Sequence, residues 1–179
     1  MQKERKEIEE QLTIMNPFLQ LEFLEKKLKE AKTFDVKRFI HLKLAEIYEG
    51  KKMITEAARN MENAAEIGIT VKEKKEDYLK AVELYTISGD YEKAELVLKK
   101  ALGCGDEKEK EEMKLVRKNI LISLAEKAEK DGMRNNALKI YEHLFRISSD
   151  VEKRFLKEKL IELYEKLGKM REASSLRGI

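Results

Sequence analysis

The side chains best suited to acid–base or nucleophilic chemistry are scarce in this sequence. Its 179 residues include two histidines and one cysteine. Neither His41 nor His143 follows an acidic residue at the three-residue spacing that di-iron helical bundles use. We expect His41 to pack in or beside the core and His143 to lie on a polar face. Cys104 stands between two glycines, where an incidental thiol in a loop is expected.

Motifs for catalysis are also missing from the sequence. It contains no glycine-rich phosphate loop, nucleophile elbow or zinc-binding pattern. We therefore predict that the protein is not an enzyme and that it holds no metal and no cofactor.

Glutamate, by contrast, recurs at positions that favour binding. One glutamate follows a small or aliphatic residue in each of four alternate helical segments, and three of these segments carry a second glutamate three residues later. We call these seven residues the acidic ladder: Glu46, Glu83, Glu126, Glu162, Glu49, Glu129 and Glu165. Apolar residues come four positions before three of the first set, at Leu42, Leu79 and Ile122. Carboxylates can pair with Lys or Arg, and the apolar strip can bury an anchor. Chance alignment is the competing interpretation, because Glu is a good helix former.

The composition predicts a helical chain and lacks the features of a nucleic-acid-binding or membrane protein. Charged residues make up 41% and hydrophobic residues 42%, yet the charges nearly cancel at +3 and are interspersed. This pattern is typical of solvated helix faces, not of the basic surface that nucleic-acid binding needs. No apolar run is long enough to cross a membrane, and the polar start does not resemble a signal peptide. We expect a cytoplasmic protein. The abundance of Lys and Glu would also suit a thermophile.

Helical periodicity and helix-breaking residues predict ten helices. Asn16-Pro17 is a helix start, with Asn as the N-cap. Glycines stand where helices should stop, as left-handed residues, at Gly68, Gly89, Gly103, Gly132 and Gly168. The predicted helices span 2–15, 17–32, 35–50, 53–68, 72–88, 90–102, 107–131, 134–147, 150–167 and 169–177.

An internal repeat organises the helices from residue 35 onward. Alanine follows a short polar turn at Ala57, Ala94, Ala137 and Ala173, at intervals of 37, 43 and 36 residues. Nine residues before these alanines come Tyr48, Tyr85, Ala128 and Tyr164. A small residue at such a column lets two antiparallel helices approach closely, and stacked pairs then share a core.

The second repeat resembles a tetratricopeptide repeat, whose period is about 34 residues. Its segment 78–102 carries the family's pattern of aromatic and small residues: Tyr78, Val82, Tyr85, Gly89-Asp90-Tyr91, Ala94, Leu98 and Ala101. The other repeats match less completely, no Pro ends any of them, and the intervals exceed the family's period. The resemblance implies an all-α, right-handed superhelix of antiparallel helix pairs, an α-solenoid. Two extra helices would occupy residues 1–34, and about four repeats would occupy residues 35–179.

In this family the first helices of the repeats line a concave groove, so the resemblance implies that the acidic ladder faces that groove. Phe39 and Phe155 would lie near its two ends. We therefore predict a scaffold or adaptor that binds a basic or amphipathic segment of a partner protein. The alternative is a structural subunit that self-associates, as a homodimer or in a larger complex, through a C-terminal end carrying Leu176 and Ile179.

Overall fold

The chain is all-helical in the computed structural model, which describes residues 2–178. The described residues contain no strand, so the predicted all-α class is confirmed. Each predicted helix is found, with ends within two residues of the expected ones. The helices of this part of the chain are Gln2–Ile14 (α1), Pro17–Glu30 (α2), Phe34–Gly50 (α3), Ile54–Glu66 (α4), Val71–Ser88 (α5), Tyr91–Leu102 (α6), Glu107–Lys130 (α7), Arg134–Ile147 (α8), Asp150–Lys166 (α9) and Met170–Arg177 (α10).

Side chains near the helix starts fix where several helices begin. Asn16 accepts a hydrogen bond from the backbone N–H of Phe18 at 3.0 Å, as its N-cap position predicts. At α5, the Thr70 hydroxyl accepts from the backbone N–H of Glu73 at 3.1 Å, and the Glu73 carboxylate accepts from the N–H of Thr70 at 3.0 Å. This reciprocal pair satisfies donors that a helix start leaves without partners.

Left-handed glycines end helices at three of the five predicted positions. Gly89, Gly132 and Gly168 have φ values of 82°, 72° and 72°. The prediction is wrong at Gly103, which keeps a right-handed φ of −65°. It is also wrong at Gly68, where φ is not positive. There a Cβ would lie 3.0 Å from Lys74 Cγ and 3.3 Å from the carbonyl oxygen of Ala65, so a larger residue would need these neighbours to shift slightly.

The helices form two compact units, which divide between Met113 and Lys114, within α7. In the first unit, neighbouring helices from α2 to α6 pack on one another, and α1 packs on α3. Its core includes a cluster from α4, α5 and α6, centred on the fully buried Tyr85, and a second cluster from α1, α2 and α3 that contains Leu24 and Ile40. In the second unit α9 packs on both α8 and α10.

The aligned alanines of the repeat lie in the interior of the two units. Ala57, Ala94, Ala137 and Ala173 are all buried, with exposed fractions of 0 or 1%. Because no larger side chain separates the helices at these points, their backbones approach closely. The repeat is therefore a packing pattern within each compact unit.

Candidate functional site

Lysine side chains neutralise most of the acidic ladder. Lys43 and Lys80 each pair with the ladder residue three positions later, Glu46 at 3.1 Å and Glu83 at 3.2 Å. Lys166 pairs with Glu162 and lowers the pKa of that carboxyl. These intrahelical pairs reduce the negative potential that a partner would meet.

The second set of ladder glutamates is paired as well, and here the cation comes from another helix. Lys80 of α5 reaches Glu49 of α3 at 3.4 Å. Lys159 of α9 reaches Glu129 of α7 at 3.1 Å, and Glu165 pairs with Arg177 of α10. The ladder therefore ties helices together within each unit. These cations were not predicted as partners of the ladder, although Lys43, Lys80 and Lys159 all stand three residues before a ladder glutamate.

Glu126 is different from the other ladder residues. Its side chain is exposed, and among the described residues it is the only ladder carboxylate that makes no ion pair. Ser123 stands three positions before it, where the other first helices carry lysine. The Glu126 carboxylate is therefore exposed to solvent without a paired cation among residues 2–178.

An apolar cavity of about 290 Å³ lies on the same face of α7, in the second unit. We call it the α7–α9 groove. Five apolar side chains line the groove, and two of them, Ile122 and Phe155, are predicted site residues. The full lining is Leu115, Lys118, Asn119, Ile122, Leu144, Ser148, Glu152, Phe155 and Leu156. Phe155 is 80% exposed, Leu115 is 59% exposed and Ile122 is 39% exposed. Large apolar side chains are left accessible around a concave surface.

The polar side chains at this groove are mostly engaged within the second unit. Lys118 of α7 pairs with Glu152 of α9 at 2.8 Å. This bond, with the donors of Ser149, lowers the pKa of the Glu152 carboxyl to about 2. The Ser148 hydroxyl donates to the carbonyl oxygen of Leu144 at 2.8 Å. The cavity is therefore apolar in its interior and carries an ion pair at its rim.

The predicted apolar site residues of the first unit are less exposed than Phe155. Leu42 and Leu79 are half-buried, and Leu79 packs against the core of that unit. Phe39 is half-buried beside Arg5, whose guanidinium carbon is 5.6 Å from the ring centre. Glu46 lines a cavity of about 570 Å³ together with Lys43, Ile47 and residues of α1 and α2.

A second recurring contact joins helix pairs through tyrosine. The Tyr85 hydroxyl donates to Glu62 at 3.0 Å, and the Tyr164 hydroxyl donates to Glu142 at 2.7 Å. Burial and the Glu142 carboxylate raise the pKa of Tyr164 to about 12. Tyr48 makes the same bond, at 3.3 Å, to Glu25 of α2. The N-terminal helices therefore take part in a contact that the repeats use.

The expectation for His143 is wrong, because its side chain is buried and does not lie on a polar face. Its Nε2 is 2.7 Å from Nη2 of Arg117, which is itself buried. Since a guanidinium only donates hydrogen bonds, Nε2 must be the acceptor. His41, by contrast, is half-buried as expected, with Nδ1 2.9 Å from the side-chain oxygen of Asn60.

The C-terminal residues predicted for self-association are only partly described. Leu176 is half-buried and lines a cavity of about 480 Å³ with Tyr164, Arg171, Glu172 and Ser175. Ile179 lies outside the described residues. Helix α10 exposes mostly polar side chains here.

Two searches of the described residues give negative results. Residues 2–178 contain no group of three or more side chains placed to hold a metal ion. No helix in that range combines the length and the apolar character that crossing a membrane requires.

Comparison with models of protein families, with curated proteins and with solved structures finds no significant match to this chain. The tetratricopeptide resemblance therefore depends on the residues quoted above and stays a prediction.

Proposed function

We propose that this chain is a non-catalytic protein-interaction scaffold and that the α7–α9 groove is its docking surface. Phe155 is the observation that carries the proposal, because an aromatic side chain of α9 is 80% exposed beside a concave cavity. Val151, one turn earlier on α9, is 79% exposed as well. Exposed apolar residues grouped around a cavity are typical of interaction surfaces.

The occupant that fits this surface is a segment of another protein with a large apolar anchor and basic residues. The apolar interior of the groove favours the anchor, since burying such a side chain removes apolar surface from water. The exposed carboxylate of Glu126 favours a cation nearby. The ladder glutamates of the first unit contribute less to binding under this proposal, because each already pairs with a lysine, Lys43 or the shared Lys80.

A tetratricopeptide-like superhelix of helix pairs is part of the same proposal. It is supported by the buried alanine column and by the lysine–glutamate contacts that join first helices within each unit. A cytoplasmic location stays a prediction.

Self-association through the C-terminal end has less support. Arg171, Glu172, Ser174 and Ser175 of α10 are all exposed, and a polar surface is what the last helix of a repeat array needs in order to face water.

Affinity capture with matched variants tests the docking surface. The baits are the wild-type chain, Phe155→Ser and Phe18→Ser, and captured proteins are identified by mass spectrometry. Phe18 is the control because its side chain is also 80% exposed but lies in the first unit. We expect wild type and Phe18→Ser to retain the same partner, and Phe155→Ser to lose it. Equal retention by all three baits would exclude the α7–α9 groove as the docking surface.

A further inference from the structure

We propose that Glu126 selects the partner, by pairing with a Lys or Arg of an amphipathic helix whose apolar anchor fills the α7–α9 groove. The inference rests on the proposed docking function of this groove. It adds the chemistry and the conformation of the segment that binds there.

In the described part of the chain, Glu126 differs from the other members of the acidic ladder in having no paired cation. Six of its members are paired with a lysine or arginine of the chain, so an incoming cation would have to displace a cation that is already in place. Glu126 requires no such exchange. Glu158, which is exposed on α9, is a second carboxylate within one helical turn of Phe155. Uncompensated charge at the rim of an apolar surface sets specificity and association rate.

The spacing argument comes from helix geometry. Ile122 lines the groove and Glu126 follows it four residues later on α7. At 1.5 Å per residue, the two positions are separated by about 6 Å along the helix axis. Residues four apart on a partner helix have the same separation and share one face. An apolar anchor in the groove would therefore place a basic residue four positions away beside Glu126.

The conformation is inferred from the polar groups of the groove. Buried backbone N–H and C=O groups need hydrogen-bond partners, and an extended segment would have to find them in the groove. Lys118 is already paired with Glu152, and the Ser148 hydroxyl already donates to Leu144. Among the described lining residues, this leaves the Asn119 side-chain amide to form hydrogen bonds with the backbone of an extended segment. A helix satisfies its own backbone and needs only apolar contact and one ion pair.

Selection from a phage-displayed library of random 16-residue peptides tests the inference. The targets are the full chain as wild type, Glu126→Lys, Glu83→Gln and Phe155→Ser. Glu83 is the matched control for Glu126, because it occupies the same column of the repeat but pairs with Lys80. All of these positions are at least partly exposed, so the fold should persist, and circular dichroism checks it.

We expect wild type and Glu83→Gln to enrich peptides with a large apolar residue and a Lys or Arg four positions from it. The basic residue should be enriched about two- to fivefold, the range expected for a partly exposed ion pair. Glu126→Lys should keep the apolar anchor and prefer Asp or Glu at the second position.

Failure of the inference and failure of the docking function give different results. If Glu126→Lys keeps the basic preference, or if the basic residue lies two positions from the anchor as in an extended peptide, the inference is overturned while the docking function stands. If the wild type enriches no peptides with a large apolar residue, or if Phe155→Ser enriches the same peptides as the wild type, the proposed docking function is wrong.

Discussion

A buried imidazole beside two guanidinium groups is stable only while it is neutral. His143 is in this position, with Arg117 2.7 Å from Nε2 and Arg146 3.4 Å from Nδ1. Burial, and then the positive charges of the two arginines, lower the pKa of His143 to about 4. The unfolded chain takes up this proton near its ordinary pKa of about 6.5. Between these values the unfolded state binds more protons, so the free energy of unfolding must fall as the pH falls.

The pH dependence of stability tests this assignment in the second unit. Relative to a His143→Gln variant, whose amide oxygen can still accept from Arg117, the wild type should lose about 2–3 kcal/mol of unfolding free energy between pH 7 and pH 4. Urea unfolding at several pH values measures the difference, and the comparison cancels the contribution of His41. Parallel curves for the two proteins would show that His143 titrates normally in the folded state.

Among the helices, the left-handed glycines give the clearest case of a local requirement. Gly89 ends α5 at φ 82°, and a Cβ there would meet no atom within 4 Å. Any cost of an alanine at this position must therefore come from the backbone, since a left-handed conformation costs an L-residue roughly 1–2 kcal/mol. Gly50 is the matched control, because it lies at the end of α3 with equally open space and φ is not positive.

Gly89→Ala should lower the free energy of unfolding by about 1 kcal/mol, whereas Gly50→Ala should raise it by about 0.5 kcal/mol through its better helix propensity. Thermal and urea unfolding of both variants measure the two effects. The same sign for both substitutions would contradict the conformations assigned to these glycines.

The sequence predicts helices better than it predicts what their side chains contact. Helix periodicity, the N-cap Asn16 and the alanine column are local or repeated signals, and the structure confirms them. The acidic ladder is visible in the sequence as a column, but three of its glutamates pair with a cation from another helix, as Glu49 does with Lys80. Such contacts join residues far apart in sequence, and periodicity does not encode them.

The groove shows the same limit. Ile122 and Phe155 were predicted as site residues from their columns, and they do line one cavity. The lining residue Leu115 was not predicted, because nothing in a single sequence separates an exposed leucine from a buried one. The burial of His143 was missed for a similar reason, since Arg117, which accompanies it, is on another helix.

At the scale of the whole molecule, the exposed apolar surface determines whether the chain associates with itself. A specific stable interface buries roughly 800 Å² on each partner. The exposed residues at the α7–α9 groove surround a cavity of about 290 Å³, which suits the side chain of a bound segment more than the broad face of a second copy. Helix α10 is mostly polar on its exposed surface. Both features favour a monomer.

We therefore expect sedimentation equilibrium to give the monomer mass of 21.0 kDa over a wide range of concentration. A mass twice as large would favour the structural-subunit alternative, and two variants would then locate the contact. Dissociation by Leu176→Glu but not by Phe155→Ser would place it at the C-terminal end and leave the groove open to another protein. Dissociation by Phe155→Ser alone would mean that a second copy occupies the groove, which would contradict the proposed docking of a different partner.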